Sequence, residues 1–176
     1  VHLVERFSPN RWLAECIGSG ATITNLLGVM PEFVFNTEPN ERDQAHNLRL
    51  IMAVPISKEW GQAFEDRFGV RFLQGFGMTE CGMPLWGDRH DPEPVIGGCA
   101  GYVDAPYFEA CIANPETDDP LPVGEVGELL VRPRIPGCFS AGYFKMPEKT
   151  VEAWRNLWFH TGDACRQDEQ GRIHYV

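Results

Sequence analysis

The sequence predicts an α/β chain whose second part is dominated by β structure, and three observations carry that prediction. Over roughly the first hundred residues, short aliphatic and β-branched stretches alternate with one-sided helical patterns. From about Gly97 the texture changes to short strands and frequent turns, the spacing of antiparallel structure. With 176 residues, 43% of them hydrophobic, the chain can bury a sizeable core in one domain or two subdomains. The division is placed near Gly97, giving an α/β part over residues 1–97 and a β-rich part over 98–176.

Ser8-Pro9 has the form of an N-cap followed by proline at the first helical position. Trp12, Leu13, Cys16 and Ile17 recur at helical spacing, and Gly18 or Gly20 ends the run. Thr22 to Leu27 reads as a buried strand, broken by Gly28-Val29-Met30-Pro31. The polar stretch from Asn36 to Asn47 reads as an exposed loop with a solvated His46. Leu48 to Val54 is a second strand, ending at Pro55. Ser57 caps a helix that carries Trp60, Ala63, Phe64 and Phe68 on one core-facing side, and Gly69 stops it. Val70 to Leu73 returns as a strand and delivers the chain to a glycine loop at Gly75, an arrangement that places ligands beyond the carboxyl ends of strands. Asp88 to Pro94 is a polar loop. Strands then follow at Tyr107–Ala113 and Gly127–Arg132, separated by the turn Asn114-Pro115-Glu116. A short helix opens at Pro147-Glu148-Lys149-Thr150, and a last strand begins at Arg172. There is no internal repeat and no low-complexity tract.

Two strings carry chemistry. In Gly75-Phe76-Gly77-Met78-Thr79-Glu80 the glycines let backbone approach a flat ligand, and Phe76 offers a ring face for a purine. Thr79 can donate to a phosphate oxygen, and Glu80 supplies the hard oxygen that Mg²⁺ prefers. In Trp158-Phe159-His160-Thr161-Gly162-Asp163, the carboxylate of Asp163, on a Thr-Gly-Asp turn, can accept from both hydroxyls of a ribose. His160 reads as a structural hydrogen-bonder rather than a general base. Alone, the first string is more often a strand-to-helix connection with a capping hydroxyl, and the second a plain turn.

The balance of 15 basic against 25 acidic residues, a formal charge of −10, argues against nucleic acid or an anionic membrane as the main partner. No apolar run is long enough to span a bilayer, and the first residues do not read as a signal peptide. The cysteines at 16, 81, 99, 111, 138 and 165 include no CxxC pair. Reduced thiols in a cytoplasmic protein are therefore expected. Cys81, His90 and Cys99 match no common zinc spacing.

Taken together and in this order, the two strings resemble the adenylate-forming family of acyl- and aryl-CoA ligases, firefly luciferases and peptide-synthetase adenylation domains. Gly124-Glu125-Val126-Gly127-Glu128-Leu129 resembles that family's GE-x-GE-L element. Gly142-Tyr143-Phe144 with Pro147-Glu148-Lys149-Thr150 resembles its G-Y-(Y/W/F)…P-E-x-T element, and both are read as scaffold. Met78 and the Trp-Phe-His wording favour the acyl-CoA ligase branch. Gly87-Asp88-Arg89 and Ile135-Pro136-Gly137 are similar to the crotonobetaine/carnitine-CoA ligase subgroup.

The resemblance implies the family's large N-terminal domain, an α/β subdomain followed by a distorted, barrel-like β subdomain. It implies a ligase that activates a small-molecule carboxylic acid as an acyl-adenylate with ATP and Mg²⁺, and then transfers it to coenzyme A. Thr79 and Glu80 would be the catalytic pair, with Glu80 the metal ligand. The nucleotide would lie against Ala53, Val54, Pro55, Gly75, Phe76, Gly77, Met78, Thr79 and Asp163. Gly28, Val29, Met30, Cys81, Gly82 and Met83 would wall the acyl pocket. The family's phosphate loop would precede Val1, and its hinge and C-terminal domain would follow Val176. The chain is thus expected to be an internal piece, inactive alone. A non-catalytic nucleotide-binding or interaction module, and an adenylation domain loading a carrier protein, are the competing readings.

Overall fold

The computed structural model describes residues 1–88 and 97–176. The chain forms two compact units. The first takes in Val1–Gln74 and, among the described residues, Gly97 and Gly98; the second takes in Gly75–Asp88 and Cys99–Val176.

The first unit opens with helix α1 (Pro9–Ser19), which starts on proline and stops at Gly20 in the left-handed region, φ 64°. Strand β1 (Ile23–Leu27), helix α2 (Met30–Phe35), strand β2 (Leu50–Val54), helix α3 (Gly61–Phe68) and strand β3 (Arg71–Leu73) follow. The strands form a parallel sheet in the order β1-β2-β3, and each connection passes through a helix, as parallel pairing requires. The core is aromatic. Phe64 is fully buried and packs 4.6 Å from Phe68 and 4.9 Å from Phe72 between ring centroids, and Trp12 meets Phe68 edge-on at 5.4 Å.

Four expectations are corrected here. The first strand is not buried: β1 is an edge strand of this sheet, with Ile23 and Leu27 about half exposed and only Leu26 fully enclosed. Ala63 points to solvent, because the buried stripe of α3 runs through Phe64 and Phe68. The polar 36–47 stretch is anchored rather than free: Arg67 donates to Asp43 at 2.7 Å and to the carbonyls of Phe35 and Thr37. Within that stretch His46 is half-buried, and its Nδ1 accepts from Leu48 N–H at 3.0 Å.

The second unit is a seven-stranded, wholly antiparallel sheet. Its strands are β4 (Gly75–Met78), β5 (Gly82–Trp86), β6 (Cys99–Val103), β7 (Phe108–Ala113), β8 (Gly127–Pro133), β9 (Phe159–Gln167) and β10 (Ile173–Tyr175). They run in the order β4-β5-β6-β10-β9-β8-β7. Helix α4 (Pro147–Ala153) and a 3-10 turn at Arg155–Leu157 precede β9. Leu85, Ala100, Leu129, Val131, Phe159 and Cys165 lie at the centre of the core.

The glycine string is therefore neither a loop nor a strand-to-helix connection. It is strand β4, paired with β5 across a tight turn. That pairing, continued from β5 to β6, draws Gly75–Asp88 into the β-rich unit, whereas the sequence pattern placed the motif with the α/β part. Among the described residues, no helix is long and apolar enough to cross a membrane.

Candidate functional site

The β4–β5 turn presents Thr79 and Glu80 at its tip. Cys81 N–H donates to the Met78 carbonyl at 3.2 Å, and Gly82, at φ 69°, returns the chain. Gly77 is required by crowding, since a Cβ there would lie 2.6 Å from the Gly82 carbonyl and closer still to the Met83 sulfur. Thr79 is exposed and Glu80 half-buried.

Tyr143 reaches Glu80: its hydroxyl donates to Glu80 Oε1 at 3.0 Å. The backbone around Tyr143 is built for this. Thr150 Oγ1 accepts from Tyr143 N–H at 2.9 Å and donates to the Met146 carbonyl at 3.0 Å. Gly142 sits at φ 124°, where a side chain would run into Thr150. A Tyr143–Trp154 contact (5.6 Å) and a Trp154–Phe159 contact (4.7 Å) tie the phenol to the core. On the main chain, Ser140 N–H donates to the Glu80 carbonyl at 2.7 Å.

Asp163 lies not on a turn but in a bulge inside β9. Glu128 of β8 faces Ala164 and Leu130 faces His160, so Leu129 alone opposes Thr161, Gly162 and Asp163. Gly162 takes φ 78°. Thr161 Oγ1 donates to the Leu129 carbonyl at 2.8 Å and accepts from Asp163 N–H at 3.1 Å. Glu128 accepts from Gly162 N–H at 3.0 Å through Oε1, and its Oε2 lies 2.9 Å from His160 Nδ1. A carboxylate partner assigns the proton to Nδ1 of the imidazole. His160 is buried, as a structural residue should be, and its Nε2 lies 3.7 Å from Asp118. Gly127, preceding Glu128, leaves no room for a Cβ against the Ala113 carbonyl.

Electrostatics connect the two motifs. Cys81 is fully buried, and its thiol is pushed up to about 11, first by burial; the Glu80 and Asp163 carboxylates add to the rise, against a hydrogen bond with Met78. Cys165 is raised to about 12 by burial and then by Asp163, and Tyr175 is raised by burial, Cys165 and Asp163. Geometry links the same strands: the ring of Phe76 in β4 lies 6.3 Å from that of Tyr175 in β10, which pairs with Cys165 of β9. Asp163 itself is raised, by burial first and also by Glu128, while the Thr161 hydrogen bond acts the other way. Asp163 and Glu128 line an open groove of about 450 Å³ with Pro115, Val126, Gly127, Gly162 and Ala164.

Within the first unit the other candidates also meet. Leu27 pairs with Val54, and Gly28 N–H, at φ 58°, donates to the Val54 carbonyl at 2.9 Å. Gly28, Val29 and Met30 therefore lie beside Ala53, Val54 and Pro55 at the carboxyl ends of parallel strands, where α/β sheets take ligands. Val29 and Pro55 are exposed, and Ala53 is fully buried.

Two side chains do not sit as the sequence pattern implied. Phe76 is 3% exposed in the core, its ring 6.3 Å from that of Tyr175, so it has no free face for a purine. Cys81 cannot line a pocket because it is wholly enclosed, and its raised pKa keeps it a thiol at neutral pH. Gly82 and Met83 remain accessible. Tyr143 and Glu128, which contact Glu80 and the bulge of Asp163, are the residues that sequence reasoning passed over. Both stood inside elements read as scaffold, and the signal available was a hydroxyl and a carboxylate at fixed places in those elements. Among the described residues, no group of three or more His, Cys, Asp or Glu could hold a metal; Cys99 is buried and His90 lies outside the described residues.

The sequence matches the family described as AMP-binding enzyme over residues 1–144. It is 34% identical over 180 residues to a crotonobetaine/carnitine–CoA ligase of Shigella flexneri serotype 5b (strain 8401), covering 99% of this chain and 34% of that protein. ATP-bound MatB from Rhodopseudomonas palustris superposes with a TM-score of 0.81 at 28% identity, covering 99% of this chain and 34% of that one. A benzoate CoA ligase from Burkholderia xenovorans LB400 shares the fold at a TM-score of 0.81 and 20% identity, over 97% of this chain and 34% of that one. The chain thus spans about a third of the length of the relatives it matches.

Proposed function

Since this chain belongs to the AMP-binding enzyme family, we propose that it is part of an ATP-dependent acid–thiol ligase that joins a carboxylic acid to coenzyme A. In this reading the acid's carboxylate attacks the α-phosphate of ATP, forming an acyl-adenylate and expelling pyrophosphate. The thiol of coenzyme A then attacks the acyl carbon and releases AMP. Such phosphate chemistry runs mainly on positioning and charge neutralisation.

The observation that carries the proposal is Glu80, held by Tyr143 at the tip of the β4–β5 turn beside the exposed Thr79, in the same antiparallel sheet as the groove that Asp163 lines. Thr79, exposed at the turn tip, donates to phosphate. Asp163 accepts from the ribose hydroxyls. Glu80 suits Mg²⁺ as a single protein ligand: Tyr143 holds one of its oxygens, leaving the other for a cation whose remaining shell is phosphate and water. When bound, the ion would neutralise phosphate charge. Gly75, Gly77 and Met78 supply backbone near the nucleotide. Within the first unit, Gly28, Val29 and Met30 are assigned to the acid and Val54 and Pro55 to adenine, the fully buried Ala53 packing behind them; within the second, Gly82 and Met83 are assigned to the acid. Crotonobetaine and carnitine, which name the relatives, are the first acids to test. Six free thiols suit a cytoplasmic protein. Activity is assigned to the longer protein, with its phosphate loop and C-terminal domain, rather than to these 176 residues alone.

The test is ATP–pyrophosphate exchange by the full-length protein. Glu80→Ala and Asp163→Ala should each abolish exchange while leaving the unfolding midpoint within a few degrees of wild type. Wild-type exchange in both variants would overturn the proposal.

A further inference from the structure

The bulge that carries Asp163 poses a problem of backbone satisfaction. Three residues of β9 oppose one residue of β8, so the N–H groups of Gly162 and Asp163 have no regular ladder partners. Asp163 N–H is taken locally by the Thr161 hydroxyl, which is itself tied to the Leu129 carbonyl. Gly162 N–H is taken by a side chain from the neighbouring strand, Oε1 of Glu128.

Glu128 is itself fixed. Its Oε2 lies 2.9 Å from His160 Nδ1 and 3.8 Å from Arg155 Nη2, and its side chain is only 14% exposed. Arg155 also lies 3.3 Å from Asp118, and Asn156 donates to the same aspartate. One carboxylate therefore bridges the residue before Thr161 and the residue before Asp163, and both ends of its grip are braced. The same charge repels the Asp163 carboxylate. Glu128 thus holds the backbone of the bulge at Gly162, and it lines the same groove as the Asp163 carboxylate.

We propose that Glu128 is a positioning residue for Asp163, setting the bulge so that its carboxylate presents both oxygens to the ribose hydroxyls of a bound adenine nucleotide. The inference rests on the assignment of Asp163 to the ribose made above. It adds that the Gly-Glu element of β8 acts on the ligand through Gly162 rather than only on packing. Glu128 touches no substrate in this scheme, so its loss should weaken recognition of the ribose and leave recognition of the base and phosphate intact.

The experiment compares AMP with 2′,3′-dideoxy-AMP by calorimetry on the full-length protein. The dideoxy nucleotide lacks the hydroxyls that Asp163 would accept from, so it reports everything except the proposed contact. Glu128→Ala should weaken AMP binding by about tenfold, the scale of one ordinary hydrogen bond, and leave dideoxy-AMP binding unchanged. Glu128→Gln keeps an acceptor for Gly162 N–H and should fall between Glu128→Ala and wild type. It also supplies the measurement should the alanine variant fail to fold. Equal weakening of both nucleotides in Glu128→Gln would mean general damage, and unchanged AMP binding in both variants would mean no positioning; either overturns the inference. Asp163→Ala separates this from the underlying reading. If that variant loses AMP selectively while the Glu128 variants do not, only the Glu128 inference fails. If Asp163→Ala binds both nucleotides as wild type does, the ribose assignment fails with it.

Discussion

Tyr143→Phe deletes one oxygen and nothing else, so it isolates the contact with Glu80. The phenol donates to Glu80 Oε1 at 3.0 Å, and its backbone is pinned independently by Thr150 at 2.9 Å. The edge-on contact with Trp154 is also kept, so the ring should stay in place. Hydrogen bonds to charged groups are worth about 1.5–3 kcal/mol. Tyr143 and Glu80 are both only half-buried, and solvent screening reduces this to about 1 kcal/mol. The functional effect should be of similar size, because a freed Glu80 carboxylate must be reordered each time it meets the cation. About 1 kcal/mol corresponds to roughly a fivefold rise in the Mg²⁺ needed for half-maximal ATP–pyrophosphate exchange. The KM for the acid should not move, since Tyr143 has no place in the acid pocket. Exchange by the full-length protein, titrated with Mg²⁺ at saturating ATP, reads both quantities. A Mg²⁺ curve superimposable on wild type would refute the reasoning, and a parallel rise in the acid KM would point to a displaced turn instead.

Two titrations extend the predictions. Burial, aided by Glu128, raises the Asp163 pKa above its ordinary 3.8, so folding favours the protonated acid. The carboxylate costs nothing below 3.8 and destabilises increasingly as pH rises through the raised folded value. Asp163→Asn should therefore raise the unfolding midpoint at pH 7 but not at pH 3, while weakening AMP binding and sparing 2′,3′-dideoxy-AMP; a lower midpoint at pH 7 would contradict this. Asp168 is the opposite case. Burial acts to raise it, but hydrogen bonds from His174 at 2.7 Å and Arg172 at 2.8 Å prevail and hold it at about 2. Its stabilisation is full above 3.8 and is lost as pH falls towards 2. Asp168→Asn should cost about 2 kcal/mol in denaturant unfolding at pH 7, with the difference vanishing near pH 2. An equal cost at both pH values would mean that the charge is not what Asp168 contributes.

Elements with strong local signals were legible in the sequence. Pro9 at the start of α1, Gly20 and Gly69 after α1 and α3, and the spacing of Phe64 and Phe68 appear in the structure as their chemistry demands. Helix α2 was missed because six residues, Met30–Phe35, are too few to show a period. The two motifs were visible as strings, yet their local structure was not. Glycines that suggest a loop are equally suited to a strand crowded by its neighbour, and Gly77 is that case. Asp43 shows the same limit: within a polar stretch only its partner, Arg67, distinguishes a buried ion pair from a solvated loop.

The sequence by itself determined the kind of protein this is, because the Thr-Glu and Thr-Gly-Asp strings, and the glycines and prolines between them, are local instructions that survive without their surroundings. Only the tertiary structure decided which of those residues act together. Strand pairing moved the Gly75–Glu80 string into the β-rich unit, turned Phe76 and Cys81 into core, and brought Tyr143 to Glu80 and Glu128 to the bulge of Asp163. Those partners are 63 and 34 residues apart along the chain. No local propensity links such positions; long-range strand pairing and burial do, and they are settled only when the sheet closes around its core.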